Sequence, residues 1–595
     1  MNLQTESTFD LLQRLWVNIS KHHRWQFLLV FIFMVLTAFF EIVSIGAIIP
    51  FLSILTNPSS FKHGLASTLL TKYTGLAMDT ESLLLSITTI FILAALITGV
   101  MRIALLWMNS RLSYAAGADL SHKIYLRTLY QPYSVHLARN SSQVISGISS
   151  KADGVISSII TPCLILLSSM IIGGFILASL FYIDPIVAMT TFFMFGFIYV
   201  VIFLTVRRKI SINSACIARE STQVIKSLQE GLGGIRDVLI DGSQALYCQI
   251  YANADKPLRR AQGNILFITQ SPRYGIEALG IVLLTSLAYF LTKRQDGALG
   301  AIPILGALAL GSQKLLPIMQ QTYSSWTSIQ GARSSLVEVL SLLEQPIEKG
   351  SLENASKPLQ FLNEISLENI SFKYENTSKA VLNNVTLSIK KGSCVGFIGK
   401  TGSGKSTLLD VVMGLLMPSN GYLKIDGQAI SIENKRAWQA NIAHVPQSIY
   451  LVDGTIADNV AFGVPTEKID FNLVKKAAER AQIAESICSW PDGYQTLVGE
   501  RGVRLSGGQR QRIGIARALY KQAKIIIFDE ATSALDNATE ESVMEAIGGL
   551  GNDVTVLIVA HRLSTLKNCS QIVELDFGSV LRVGNFKEVI QKINL

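Results

Sequence analysis

Long apolar runs dominate the first half of the chain, and short alternating ones dominate the second. No charged residue occurs from Gly154 to Ile183, and none from Pro185 to Val206. At ~1.5 Å per residue, each run can cross a ~30 Å hydrocarbon layer as a helix. The same texture predicts six spans, at about 27–55, 83–106, 155–183, 185–206, 274–292 and 298–318. Glu41 interrupts the first, and Arg273 and Glu277 stand at the start of the fifth. Between them, Ser113–Gln131 and Ser211–Arg260 keep helical periodicity with few Gly or Pro, so spanning helices continue into solvent and turn near Pro132 and Gly231–Gly234. Beyond a polar linker at 341–364, β-branched runs (Ser366–Phe372, Val395–Ile398, Ile525–Phe528, Val554–Val559) alternate with helical stretches. That pattern predicts an α/β domain over 365–595.

Charge orients the helical part. The connections 107–154 and 207–273 hold five and ten Lys/Arg, whereas the other three hold Lys62 and Lys72, none, and Lys293 and Arg294. The basic loops belong on the cytoplasmic side, which places both chain ends there. This expectation makes the protein integral to a membrane, with its α/β domain in the cytoplasm. Topology thereby accounts for much of the +9 net charge, and no nucleic-acid partner is needed. A mean hydropathy of +0.37 with 16% charged residues fits the same class. Residues 1–26 read as an amphipathic lead-in at the interface, with Trp16, His22, His23, Arg24 and Trp25 among headgroups and no signal peptide. The six cysteines (163, 216, 248, 394, 488, 569) show no C-x-x-C spacing, so a disulfide framework or metal site is not expected.

Chemistry concentrates after residue 390. Gly399, Lys400, Thr401, Gly402, Ser403, Gly404, Lys405, Ser406 and Thr407 form a P-loop between a strand and a helix starting at Lys405. Its glycines let successive N–H groups turn onto phosphate oxygens, and the helix N-terminus adds its positive end. Lys405 supplies a point charge to the β/γ-phosphates of ATP, and Ser406 a hydroxyl for Mg2+. Downstream, Ile525–Phe528 ends in Asp529, a candidate Mg2+ partner, and Glu530, a candidate base for the attacking water.

Leu505–Gln509 reads LSGGQ, and with this motif residues 365–595 resemble the ATP-binding cassette proteins. The resemblance implies that Tyr374 stacks on adenine and that Gln447 touches Mg2+ and senses the membrane domain. It further implies that Asp536 communicates across a dimer and that His561 contacts the γ-phosphate. Ser506, Gly507, Gly508 and Gln509 open a helix suited to phosphate, and in this family they face the P-loop of the opposite subunit. One cassette per chain therefore implies a homodimer. Six spans followed by one cassette resemble exporter-type half-transporters, whose coupling helices would fall near Tyr130–His136 and Glu230–Asp237. Phe40-Glu41 … Pro50-Phe51, Pro272-Arg273 … Glu277 and Lys314–Pro317 resemble the bacterial flippases of lipid-linked oligosaccharides used in protein glycosylation.

Arg102, Arg273 and Lys314 reach similar depth by residue count, toward the cytoplasmic leaflet, and in a dimer would present six positive charges to an anionic glycolipid. The alternative is snorkelling at helix ends, with Glu277 as an i+4 partner of Arg273. Residues 57–80 carry Phe61, Leu65, Leu69, Leu70 and Tyr73 at helical spacing, which fits either a guide for a lipid tail or loop packing. The cargo stays open between an anionic lipid-linked glycan and peptides or hydrophobic drugs. Six spans argue against a cassette ATPase that works on DNA or ribosomes.

Overall fold

The computed structural model describes residues 6–47, 51, 80–183, 185–292, 297–348, 357–374, 379–531, 536–548, 554–560 and 562–590. Residues 57–79 of the segment expected to be external, and His561, thus lie outside the described residues. The chain forms two compact units, Met1–Leu129 with Arg139–Pro346, and Tyr130–Ala138 with Ile347–Leu595.

The first unit is helical. Its leading elements are α1 (Thr8–Asn18), α2 (Lys21–Gly46) and α3 (Thr80–Leu129). Ser7 closes α1 with a capping box, and Ser20 caps α2 by accepting from the His23 N–H. The lead-in is thus built of two helices, because Ile19 and Ser20 leave helical geometry. Residues 141–160 run as helical and π turns into α4 (Thr161–Ile183), followed by α5 (Pro185–Gly233), α6 (Gln244–Thr292) and α7 (Gly297–Gly331). α3 stops three residues before Pro132, and α5 stops inside the glycine cluster.

Among the described residues, three helical segments are long and apolar enough to cross a membrane: Lys21–Gly46, Leu84–Leu129 and Ser141–Tyr182. Only 17–39% of their apolar windows is buried inside the protein, so most of that surface needs hydrocarbon around it. The remaining expected spans, 185–206, 274–292 and 298–318, fall within α5, α6 and α7. The interior of this unit is an apolar cluster including Val30, Met34, Ala38, Ile45, Leu105, Leu112, Ile176, Leu315 and Ile318.

The second unit is α/β. An antiparallel sheet has order β2-β1-β4-β5, with β1 Glu364–Phe372, β2 Leu382–Lys390, β4 Asn420–Ile425 and β5 Gln428–Ala429. A six-stranded sheet has order β10-β9-β3-β8-β7-β6. Its strands are β3 Cys394–Ile398, β6 Ile442–Val445, β7 Ile525–Asp529, β8 Thr555–Val559, β9 Gln571–Asp576 and β10 Ser579–Gly584. Strands β9, β3, β8, β7 and β6 pair in parallel, so β3 and β7 end on the same edge. Parallel strands buried on both faces require continuous apolar runs, and all five residues of β8 are buried. The Cys394 and Cys569 thiols lie 3.0 Å apart, a proximity across 175 residues that spacing does not reveal; all six cysteines are free.

The short helix Tyr133–Ala138 belongs to this second unit, where Arg436 covers the Tyr130 ring at 4.9 Å.

Candidate functional site

The P-loop leaves the carboxyl end of β3 and enters the helix α8 (Lys405–Val412). Gly399 has φ +147°, and a Cβ there would stand 2.2 Å from the Leu575 carbonyl oxygen. Gly404, at φ +98°, turns the chain into α8. Both positions exclude a side chain, which keeps the loop's amides open to a ligand. Lys405 is buried, and its ammonium donates to the carbonyls of Gly399 (2.8 Å) and Lys400 (3.0 Å). Burial lowers its pKa, while Glu530 and then Asp529 oppose that shift. The ammonium is thus curled back on its own loop.

β7 delivers the two acids to the same edge. Asp529 is still in the strand, 3.5 Å from the Ser406 hydroxyl. Burial raises its carboxyl pKa, with the Ser406 hydroxyl, His444 and Lys405 pulling it down. Glu530 leaves the strand at φ +52°, a left-handed conformation held by its N–H on the Val559 carbonyl (3.0 Å). The turn points its carboxylate at Gln447, whose amide donates to it at 2.6 Å. Lys405, Ser406, Gln447, Asp529 and Glu530 are thus brought together from three segments of the chain.

Tyr374 packs edge-to-face on Phe372, and its hydroxyl lies 3.2 Å from the Thr407 hydroxyl. The ring borders the P-loop helix. Asp410, in the same helix, was missed in the sequence because nothing marks it; burial, with the Asp529 charge, pushes its carboxyl up to about 6. Burial beside Asp410 and Tyr374 likewise raises the Tyr133 hydroxyl, so the short helix from the 130–138 segment borders this site.

The LSGGQ segment forms an exposed turn. Ser506 accepts from the Gln509 N–H (3.2 Å), and the Gln509 side chain accepts from the Ser506 N–H (2.8 Å). This capping box leaves Gly507 and Gly508 in the open first turn of α9 (Gly507–Tyr520). Arg517 of that helix donates to the Asn459 (2.9 Å) and Tyr450 (3.0 Å) carbonyls, tying it to the chain just after Gln447. Asp536 caps the next helix, accepting from the Thr539 N–H at 3.0 Å.

In the helical unit, Arg102 and Lys314 converge. Both reach Glu41 Oε1, Arg102 at 2.5 Å and Lys314 at 3.1 Å. Arg273 does not join them; it pairs with Glu277 at 2.7 Å on an exposed face of α6. Glu41 lies 14 residues past Phe27, ~21 Å along α2.

The ABC transporter family model matches residues 382–533. An ATP-dependent lipid A-core flippase of Alkalilimnicola ehrlichii is 31% identical over 70% of this chain and 70% of its own length. The chain belongs to the ABC transporter family. A flippase of the same description from Cupriavidus metallidurans is 32% identical over 62% of each chain. The alpha-hemolysin translocation ATP-binding protein HlyB of Escherichia coli O157:H7 is 37% identical over 48% of this chain. The chain spans 62% and 39% of the lengths of those last two relatives. A bacterial Atm1-family ABC exporter solved with ATP bound matches with a TM-score of 0.76 and 24% identity, over 94% of this chain and 96% of that one. The fold of this ABC transporter is accordingly that of an exporter chain, a helical transmembrane domain plus the family's P-loop ATPase domain.

Proposed function

We propose that the protein is half of an ATP-driven flippase that moves an anionic lipid-linked oligosaccharide across the bacterial cytoplasmic membrane. Six spans and a homodimer complete this reading, with the ATPase domain and both termini in the cytoplasm. The observation that carries the cargo is the convergence of Arg102 and Lys314 within the transmembrane helices, with Arg102 44% exposed. Ionisable groups at that depth are costly and mark substrate paths. Relatives named as lipid flippases support a lipid cargo. Arg273, paired on an exposed face, is an accessory contact for a headgroup in this reading.

The engine follows from the cassette residues. Lys405 exchanges two loop carbonyls for the β/γ-phosphates of ATP, to which Thr407 and the N–H groups of 399–406 are also directed. Tyr374 turns its ring to adenine. The Ser406 hydroxyl and the Asp529 carboxylate, 3.5 Å apart, are hard oxygen donors, and a cation there would relieve the cost of burying the carboxylate, so the residues fit Mg2+. Ser406, Gln447 and Asp529 would hold it, and when bound it neutralises phosphate charge. Glu530 accepts a proton from the attacking water, oriented by Gln447. His561 contacts the γ-phosphate, as the family resemblance implies. Ser506, Gly507, Gly508 and Gln509 close the partner subunit's site, and Asp536 links the two. The helix Tyr133–Ala138 and the turn near Glu230–Asp237 act as coupling elements.

Export of peptides or drugs is the second reading, supported by relatives named for toxin translocation over 48% of the chain. ATPase activity in nanodiscs separates the two. Stimulation by a polyprenyl-diphosphate glycan, lost in Arg102→Gln, is expected; stimulation by peptides alone would transfer the assignment to the second reading.

A further inference from the structure

The carboxylate at the membrane charge cluster has an unusual arrangement. Glu41 is fully buried, within an apolar cluster that includes Ala38, Ile45, Leu105 and Leu315. One of its oxygens, Oε1, takes both cations, while Oε2 is buried and has no hydrogen-bond partner among the described residues. Arg102 uses a single terminal nitrogen, and Lys314 shares its ammonium with the Ser44 hydroxyl at 3.1 Å. A structural arginine–carboxylate pair reaches its strength as a two-pronged fork, with every lone pair satisfied. Here the fork is not formed, one acceptor is idle, and two cations face one anion. Removing the charges in favour of apolar residues would be cheaper for folding alone.

The exposure of the three groups is graded: the Glu41 side chain is 1% exposed, Lys314 24% and Arg102 44%. The anion is thus fixed at the back, and the cations reach outward from it with surface left for a second anion. The Thr98 hydroxyl, donating to the Phe40 carbonyl at 3.1 Å, holds α3 against α2 at the same level.

We propose that Glu41 is a built-in counter-anion, which holds Arg102 and Lys314 aimed at one point in the empty transporter and gives them up to the phosphate of an anionic lipid. This inference rests on the anionic-lipid reading above and adds a positioning residue to it. Glu41 does two things. It holds both cations at one point while the site is empty, which lowers the charge of the cluster to a single net positive. It also competes with the bound headgroup, so that release restores the internal pairs instead of leaving two bare cations. A neutral lipid cannot displace it, which makes the carboxylate a determinant of anion selectivity.

The test uses the full-length protein in neutral-lipid nanodiscs, with a polyprenyl diphosphate as probe and the corresponding polyprenol as neutral control. Affinity is read by equilibrium binding, and turnover by probe-stimulated ATPase. Glu41→Gln removes the competitor and should bind the diphosphate about tenfold more tightly, one charge-assisted contact by the 1.4 kcal/mol-per-decade conversion. Its stimulated turnover should fall because release slows, and polyprenol binding should not change. Glu41→Asp keeps the charge and should restore wild-type affinity and turnover. A merely structural ion pair predicts a lower melting temperature for Glu41→Gln with unchanged or weaker diphosphate binding, and that result overturns the proposal. Should Glu41→Gln fail to fold, Glu41→Gln/Lys314→Gln is compared with Lys314→Gln, one cation being removed from each. The same tightening is expected, and equal affinities overturn the proposal. Wild-type protein that does not distinguish diphosphate from polyprenol would sink the anionic-lipid reading and this inference together. Discrimination by wild type with no effect of Glu41→Gln would sink the inference alone.

Discussion

Glu530→Gln isolates the chemical step from nucleotide binding. The substitution preserves side-chain size and one acceptor oxygen, so the 2.6 Å contact from the Gln447 amide can persist. The backbone at φ +52° is anchored by its own N–H on the Val559 carbonyl and is not touched. What disappears is the negative charge proposed to accept the water's proton. General-base catalysis typically contributes about 10²–10⁴ in rate, which corresponds to about 2.7–5.5 kcal/mol of barrier. Steady-state phosphate release from the nanodisc-embedded protein should therefore drop at least about a hundredfold. Nucleotide affinity should hold, because Lys405 and the loop amides are unchanged. Glu530 also opposes the burial-driven lowering of the Lys405 pKa, so that pKa should fall further in the variant. Turnover within a small factor of wild type would refute the assignment of Glu530 as base. Intact turnover per bound nucleotide with much weaker binding would reassign it to ligand recognition.

Three further outcomes follow from the cassette. Lys405→Ala loses charge-assisted contacts worth about 1.5–3 kcal/mol, so nucleotide binding by equilibrium titration should weaken by about 10- to 150-fold. Asp410→Asn should raise the melting temperature at neutral pH. The folded carboxyl lies at about 6 against an ordinary value of 3.8, so the folded state binds that proton more readily, and the carboxylate costs stability above the folded pKa. Partial solvent screening reduces that gain to about 1 kcal/mol, and it should shrink as pH falls through 6 and vanish below 3.8; a gain constant with pH would contradict the cause given. Finally, chains carrying Lys405→Ala, co-assembled with chains carrying Ser506→Arg, should form one intact and one doubly damaged site. Full-rate hydrolysis by a purified monomer would contradict the composite site.

The parts of the cassette visible in the sequence are those whose chemistry is local. The P-loop is a run of nine residues, and Asp529-Glu530 ends an unbroken apolar strand, so spacing alone marks the candidate phosphate, cation and base residues. The pairing of Arg273 with Glu277 is similarly local, at one helical turn. Contacts made across the chain were not readable. Glu41 meets Arg102 across 61 residues, and Ser44 meets Lys314 across 270. Counting residues could equalise the depth of Arg102 and Lys314, but it could not show which helix faces pack together. Glu41 therefore read as an interruption of an apolar span, whereas packing makes it the centre of the cluster. The same limit hid the Cys394–Cys569 proximity and the hydroxyl contact of Tyr374 with Thr407. Asp410 carries no motif, and its raised pKa arises only from burial beside Asp529.

We propose ATP-driven movement of an anionic lipid gripped by Arg102 and Lys314. Its most direct test is flipping of a fluorescent polyprenyl-diphosphate glycan in proteoliposomes, read as probe protected from an externally added quencher. Wild-type protein should translocate the probe with ATP and Mg2+ but not with ADP. Arg102→Gln and Lys314→Gln, at preserved basal ATPase and melting temperature, should translocate it severely less, and a neutral polyprenyl glycan should not move. Undiminished flipping by both stable variants, or equal transport of the neutral lipid, would contradict the account.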